Sequence, residues 1–185
     1  MNPVASRITL GLLVLAFLFV YSDPVYSQPT EQHGLLKKFV GKWDAKIELK
    51  SKDQPNPIQI AGVETNAMLG DYWIVSDLSI GNDEGTQTDF RKWTIGYSPK
   101  ESKFHGFYAN MASPYHENQT GKFDQSSSTL TLMTDYRNQE TGAPVQGKRV
   151  IEFLSDDRRR LTLFQKNDAG EFEPIAKVEF SRNKK

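Results

Sequence analysis

From Gly41 onward, short runs that alternate apolar and polar residues recur roughly every 10–15 residues, each cut off by turn-forming residues. This spacing constrains the fold more than anything else in the chain. Ten such runs can be read: Lys42–Leu49, Ile58–Leu69, Tyr72–Ile80, Thr88–Tyr97, Lys103–Met111, His116–Asp124, Thr129–Tyr136, Lys148–Leu154, Leu161–Gln165 and Phe172–Ser181. Alternation with a period of two is the signature of a strand with one buried face. The breakers include Asp53-Gln-Pro-Asn-Pro57, Gly81-Asn-Asp-Glu-Gly85, Ser98-Pro-Lys-Glu-Ser102, Ser113-Pro114, the Asn138–Gln146 loop, Asp156-Asp157 and Asn167-Asp-Ala-Gly170. No helical run separates the strands, so a parallel βαβ sheet is excluded. The pattern predicts an all-β fold of about ten antiparallel strands, a barrel or a sandwich, and the single helix ahead of the first strand favours a single barrel.

One helical stretch precedes the strands. Glu31–Val40 places Leu35, Leu36, Phe39 and Val40 on one face, and Gly41 ends it. A short amphipathic helix next to the first strand is expected to plug one end of the barrel. Ahead of it, Arg7 is followed by an apolar run from Ile8 to Tyr21, then Pro24 and the small-residue pattern Val25-Tyr26-Ser27. This is the layout of a secretory signal peptide cleaved before Gln28. The 14-residue apolar run is short against the roughly 20 residues needed to span a bilayer. Residues 1–27 are therefore read as a signal peptide and 28–185 as one barrel domain, secreted or periplasmic.

Composition narrows the function classes. The chain has 23 basic and 23 acidic residues; losing Arg7 and Asp23 with the signal leaves 22 of each. A balanced charge gives no footprint for nucleic acid, nor for an anionic membrane once the signal is removed. The absence of Cys removes disulfides, thiolate metal sites and Cys nucleophiles. The run Arg158-Arg159-Arg160 follows Asp156-Asp157 and is expected to be a solvated turn. His33, His105 and His116 have no metal-ligand spacing, so no metal and no cofactor are expected. No Gly-x-Ser-x-Gly occurs, and the one Ser-x-x-Lys, Ser181-Arg-Asn-Lys184, lies at the end of the last strand. Asn118-Gln-Thr120 is a glycosylation sequon that matters only in a eukaryotic secretory pathway.

Six segments taken in order carry a resemblance. They are Phe39-Val-Gly-Lys-Trp-Asp44, Glu64-Thr-Asn66, Leu69-Gly-Asp-Tyr-Trp73, Thr94-Ile-Gly-Tyr-Ser-Pro99, Phe104-His-Gly-Phe-Tyr-Ala-Asn110 and Val178-Glu-Phe-Ser-Arg182. Together they resemble domain-of-unknown-function family 1579, mostly bacterial and often exported proteins similar in fold to lipocalin and nitrobindin barrels. The resemblance implies a barrel of about ten antiparallel strands and no particular activity. Two departures stand out: Gly70-Asp71 where Gly-Gly is frequent, and Tyr108 and Asn110 where a Trp and an Asp are common. Nitrobindin-type barrels hold haem through a His near the chain end, and no His follows His116 here.

Two residue sets follow. Gly41, Trp43 and Arg182 form a structural closure of the barrel: in lipocalin-like barrels the Trp of a Gly-x-Trp closes the floor and a late Arg lies across its indole. Alternation also aligns Glu64 and Asn66 on the second strand, Arg91 and Trp93 on the fourth, and Tyr108 and Asn110 on the fifth. Pointing inward, these six are candidate ligand-binding residues; the structural alternative is a Glu64–Arg91 ion pair. Three functional readings stand. The leading one is non-catalytic binding of a small, partly apolar molecule inside the barrel. The second is an enzyme with an interior acid/base site using Glu64, Arg91 or Tyr108. The third is an interaction module with a filled barrel and an exposed patch around Tyr115. Neither the class of ligand nor the oligomeric state is encoded in a recognisable motif.

Overall fold

The computed structural model describes residues 28–50, 56–81 and 87–184. Residues 1–27, expected from the sequence to be a signal peptide, therefore lie outside the described residues, as do most of the loops around 51–55 and 82–86. The chain opens with helix α1 (Glu31–Leu36), which passes directly into a 3-10 turn over Lys37–Phe39. Ten strands follow: β1 (Gly41–Leu49), β2 (Ile58–Leu69), β3 (Trp73–Gly81), β4 (Gln87–Ser98), β5 (Lys103–Asn110), β6 (Glu117–Asp124), β7 (Thr129–Arg137), β8 (Pro144–Ser155), β9 (Arg158–Lys166) and β10 (Phe172–Arg182). Each pairs antiparallel with its sequence neighbour, and β1 pairs with β10 to close the barrel. Closure leaves no sheet edge exposed.

The boundaries of β2 agree with the alternation, and most others agree within a residue or two. The exceptions are β8, which begins at Pro144, and β9, which begins at Arg158. In the first case the tip of the Asn138–Gln146 loop is tightened by Asn138, whose Oδ1 accepts from the N–H groups of Glu140 and Thr141. In the second, Asp156-Asp157 alone makes the turn, so all three arginines enter the strand. The expected solvated arginine run is thus corrected: Arg158 and Arg160 point outward, but Arg159 is only 2% exposed. Alternation requires this, since Arg159 shares a face with Leu161 and Leu163.

Inward residues fill the barrel from its helical end. Leu36, Phe39, Ile74, Ile95, Phe104 and Leu130 are nearly inaccessible to solvent and form one apolar cluster at that end. A second cluster joins β1 and β10 around Trp43, Ile47, Val178 and Phe180. His33 is buried with them. Its Nδ1 accepts from the Thr30 N–H at 2.9 Å and its Nε2 lies 3.1 Å from the Tyr97 carbonyl. That pairing requires the Nε2–H tautomer and ties the helix to the end of β4.

The closure at this end is built on Trp43. Its indole N–H donates to the Phe39 carbonyl at 2.8 Å, and the Arg182 guanidinium lies 4.2 Å from its ring centroid. Arg182 in turn donates to the carbonyls of Val40 and Asp156. Gly41 makes room for this. Its φ of +118° is one that side chains rarely adopt, and an added Cβ would stand 2.7 Å from Arg182 Nη1.

Candidate functional site

Above the floor the barrel encloses a cavity of about 90 Å³. Its walls differ in character. The β1, β9 and β10 side is apolar, with Ile47, Leu49, Leu161, Leu163 and Val178 facing in. The opposite side carries Arg91 and Trp93 from β4, Tyr108 from β5 and Arg149 from β8. Glu64, Ser76 and Arg159 complete the lining near the floor. The period-two alternation of each strand delivers these side chains to one interior, which is why Glu64 and Arg159 meet although 95 residues separate them.

At the floor, Arg159 Nη2 donates to Glu64 Oε1 at 2.5 Å, with both side chains almost fully buried. Asn66 Nδ2 donates to the same oxygen and to the Phe39 carbonyl. The guanidinium sits among three aromatic rings, 4.1 Å from the Phe180 centroid, 4.6 Å from Trp43 and 5.1 Å from Phe39. Burial pulls the Arg159 pKa below its usual value, and the charge and hydrogen bond of Glu64 oppose that pull. An arginine keeps its proton under such conditions.

The expected Glu64–Arg91 pair does not form. Arg91 donates instead to Asp89, two residues away on the same inward face, at 2.6–2.7 Å. Glu64 and Arg91 are both registered to Leu78, one on each side of β3. Asp89 satisfies Arg91 along its own strand, and Arg159, separated from Glu64 by β1 and β10, reaches it over the barrel floor. Burial lowers the Arg91 pKa, but Tyr108 and Asp89 outweigh it and the net shift is upward.

A hydrogen-bonded chain runs up the polar wall. The Trp93 indole N–H donates to Gln119 Oε1 at 2.7 Å, and Gln119 Nε2 donates to Glu117 Oε2 at 3.3 Å. Arg149 Nη2 donates to that same Glu117 oxygen at 2.6 Å, and its guanidinium lies 4.3 Å from the centroid of the Tyr108 ring. Glu117 and Tyr108 are direct partners across β5 and β6. They also line a second, polar cavity of about 350 Å³ at the mouth of the barrel, with Asn110, Tyr115 and Tyr136. Tyr108 thus borders both spaces. The Tyr136 pKa is raised, first by burial and then by the charge of Glu117.

Of the six residues aligned from the sequence, Glu64, Arg91, Trp93 and Tyr108 line the inner cavity. Asn66 lies below it, and Asn110 stands at the mouth with its Oδ1 accepting from the Ala112 N–H. The sequence reading missed Arg149, Arg159 and Gln119. Each shares a face with neighbouring inward residues (Ile151, Leu161 and Phe123), so strict alternation carried through the charged positions would have found them. Among the described residues no three His, Asp or Glu groups are placed to hold a metal ion. Likewise no described helix is long and apolar enough to cross a membrane.

Residues 28–182 match the model of the family described as protein of unknown function, DUF1579. The chain belongs to this family. Comparison of the sequence with curated proteins finds no match. Among solved structures, this DUF1579 barrel is similar to Rv2717c from M. tuberculosis, with a TM-score of 0.63 and 10% identity over 85% of this chain and 100% of the other. It is also similar to the S-type phycobiliprotein lyase CPES from Guillardia theta, with a TM-score of 0.55 and 13% identity over 86% and 95% of the two chains. At these identities the likeness is one of fold alone.

Proposed function

We propose that this DUF1579 protein is exported and binds a small, partly apolar molecule inside its barrel without transforming it. The observation that carries this reading is the inner cavity: an apolar wall facing a polar one, with polar groups directed into the space between them. Converging polar groups in a mostly apolar hollow are what orient a small ligand. At about 90 Å³ the space is well under the roughly 300 Å³ of a drug-sized pocket, so the buried part of the occupant is short. Catalysis is the weaker reading, because Glu64, the innermost carboxylate, is engaged by both Arg159 and Asn66.

Native mass spectrometry of the mature protein from its own host tests this. A co-purifying small mass is expected, and Trp93→Ala with Tyr108→Ala removes it while the barrel stays folded by circular dichroism. The small cavity also favours a second reading, a filled barrel that acts through its surface. Under that reading the wild-type protein flies bare, and so do the variants. Tyr115 itself is half-buried at the mouth, while Met111 nearby in the chain is exposed. The intact mass of the same sample checks export: it should correspond to a chain beginning at Gln28. A mass that includes residues 1–27 would remove the signal-peptide reading.

A further inference from the structure

The lining of the inner cavity is unbalanced in a specific way. Three guanidinium groups, Arg91, Arg149 and Arg159, face it against one carboxylate, Glu64. The other two counter-charges stand elsewhere: Glu117 lines the mouth, and Asp89 borders neither space. Two of these arginines carry buried N–H groups with no hydrogen-bond partner among the described residues, Arg149 Nε and Arg159 Nη1. The Ser76 hydroxyl, also facing the cavity, has none either. Arg159 and Ser76 are each 2% exposed and Arg149 7%. Guanidinium is donor-only, so what is missing at those two positions is an acceptor. A buried donor left without one costs about 1–3 kcal/mol. A charged acceptor makes roughly twice as strong a bond as a neutral one.

We infer that the molecule bound in the cavity is a short-chain carboxylic acid. Its carboxylate accepts from the unpartnered guanidinium N–H groups, and its hydrocarbon lies against Ile47, Leu161 and Val178. This inference rests on the binding function proposed above and names the ligand class. Size follows from volume. A dry cavity of about 150 Å³ holds benzene, so about 90 Å³ buries only about four heavy atoms on that scale. An acid of about four to six carbons fits, with any remainder passing Tyr108 toward the mouth.

The test is a titration of the mature wild-type protein with straight-chain acids of two to eight carbons and with the primary alcohols of the same lengths, followed by protein-observed NMR. Saturable binding of butanoate or hexanoate is expected, at least tenfold tighter than the matching alcohol. Arg149→Gln should weaken the acid about tenfold and leave the alcohol unchanged, and Ser76→Ala should weaken the acid a few-fold. Equal binding of acid and alcohol overturns the carboxylate inference while leaving an apolar-ligand function intact. Binding of neither series overturns the carboxylate inference, and the co-purifying mass decides the binding function separately. The wild-type comparison decides even where the Arg149 variant does not fold.

Discussion

Replacing Arg159 by Met lowers the unfolding free energy by about 3–5 kcal/mol, the cost of leaving a buried partner charge uncompensated. Glu64 would remain at the barrel floor, 6% exposed, with only the Asn66 amide to answer its charge. For a chain of this size that corresponds to a fall in Tm of roughly 10–15 °C, read by thermal or urea unfolding. The double variant Glu64→Gln/Arg159→Met should recover part of the loss, because it removes both charges together and a buried ion pair is itself worth little against a neutral replacement. A double variant no more stable than Arg159→Met would show that packing of the guanidinium among Phe39, Trp43 and Phe180 matters more than its charge.

Trp43→Ala has an expected cost of similar size, about 3–5 kcal/mol for truncating a large, fully buried aromatic. Trp43 is 1% exposed, and its ring carries two guanidiniums, Arg159 at 4.6 Å and Arg182 at 4.2 Å. Each such contact adds about 1–2 kcal/mol when desolvated. Its loss also strands the Phe39 carbonyl, which keeps only the Asn66 amide. Phe107→Ala, on the outer face and 44% exposed, should by contrast cost about 1 kcal/mol or less. Urea unfolding of the two variants side by side makes the comparison. Equal costs would mean that the floor is not a fixed point of the fold.

The two replacements probe what lies between sequence and function here. The cavity exists because its floor is rigid: Trp43, Arg159, Glu64 and Asn66 lock one another, and the helix covers them from below. Arg149 and Arg159, both buried in the lining, each keep one N–H without a partner among the described residues.

Much of this barrel was legible along the chain. Alternation at period two and the turn residues between runs placed ten strands, mostly within two residues of their positions, because each side chain's face is dictated locally by the backbone. Gly41, Trp43 and Arg182 were grouped through the resemblance to lipocalin-like barrels, and β1–β10 pairing sets Trp43 directly against Arg182. The one local misreading, the arginine run as a solvated turn, came from ending alternation at Leu161 instead of carrying it back to Arg158.

What the chain alone left open was who meets whom across the interior. Glu64 finds Arg159 rather than Arg91 because Asp89 takes Arg91 along its own strand while Arg159, beyond β1 and β10, reaches Glu64 over the barrel floor. Arg149 with Glu117, and Gln119 with Trp93, are likewise contacts set by three-dimensional register. The sequence by itself determined the strands and their inward faces, since those follow from near-neighbour geometry. Only the tertiary structure decided the ion pairs and the unpartnered donors, since electrostatic partners are chosen by distance through space, which no spacing along the chain encodes.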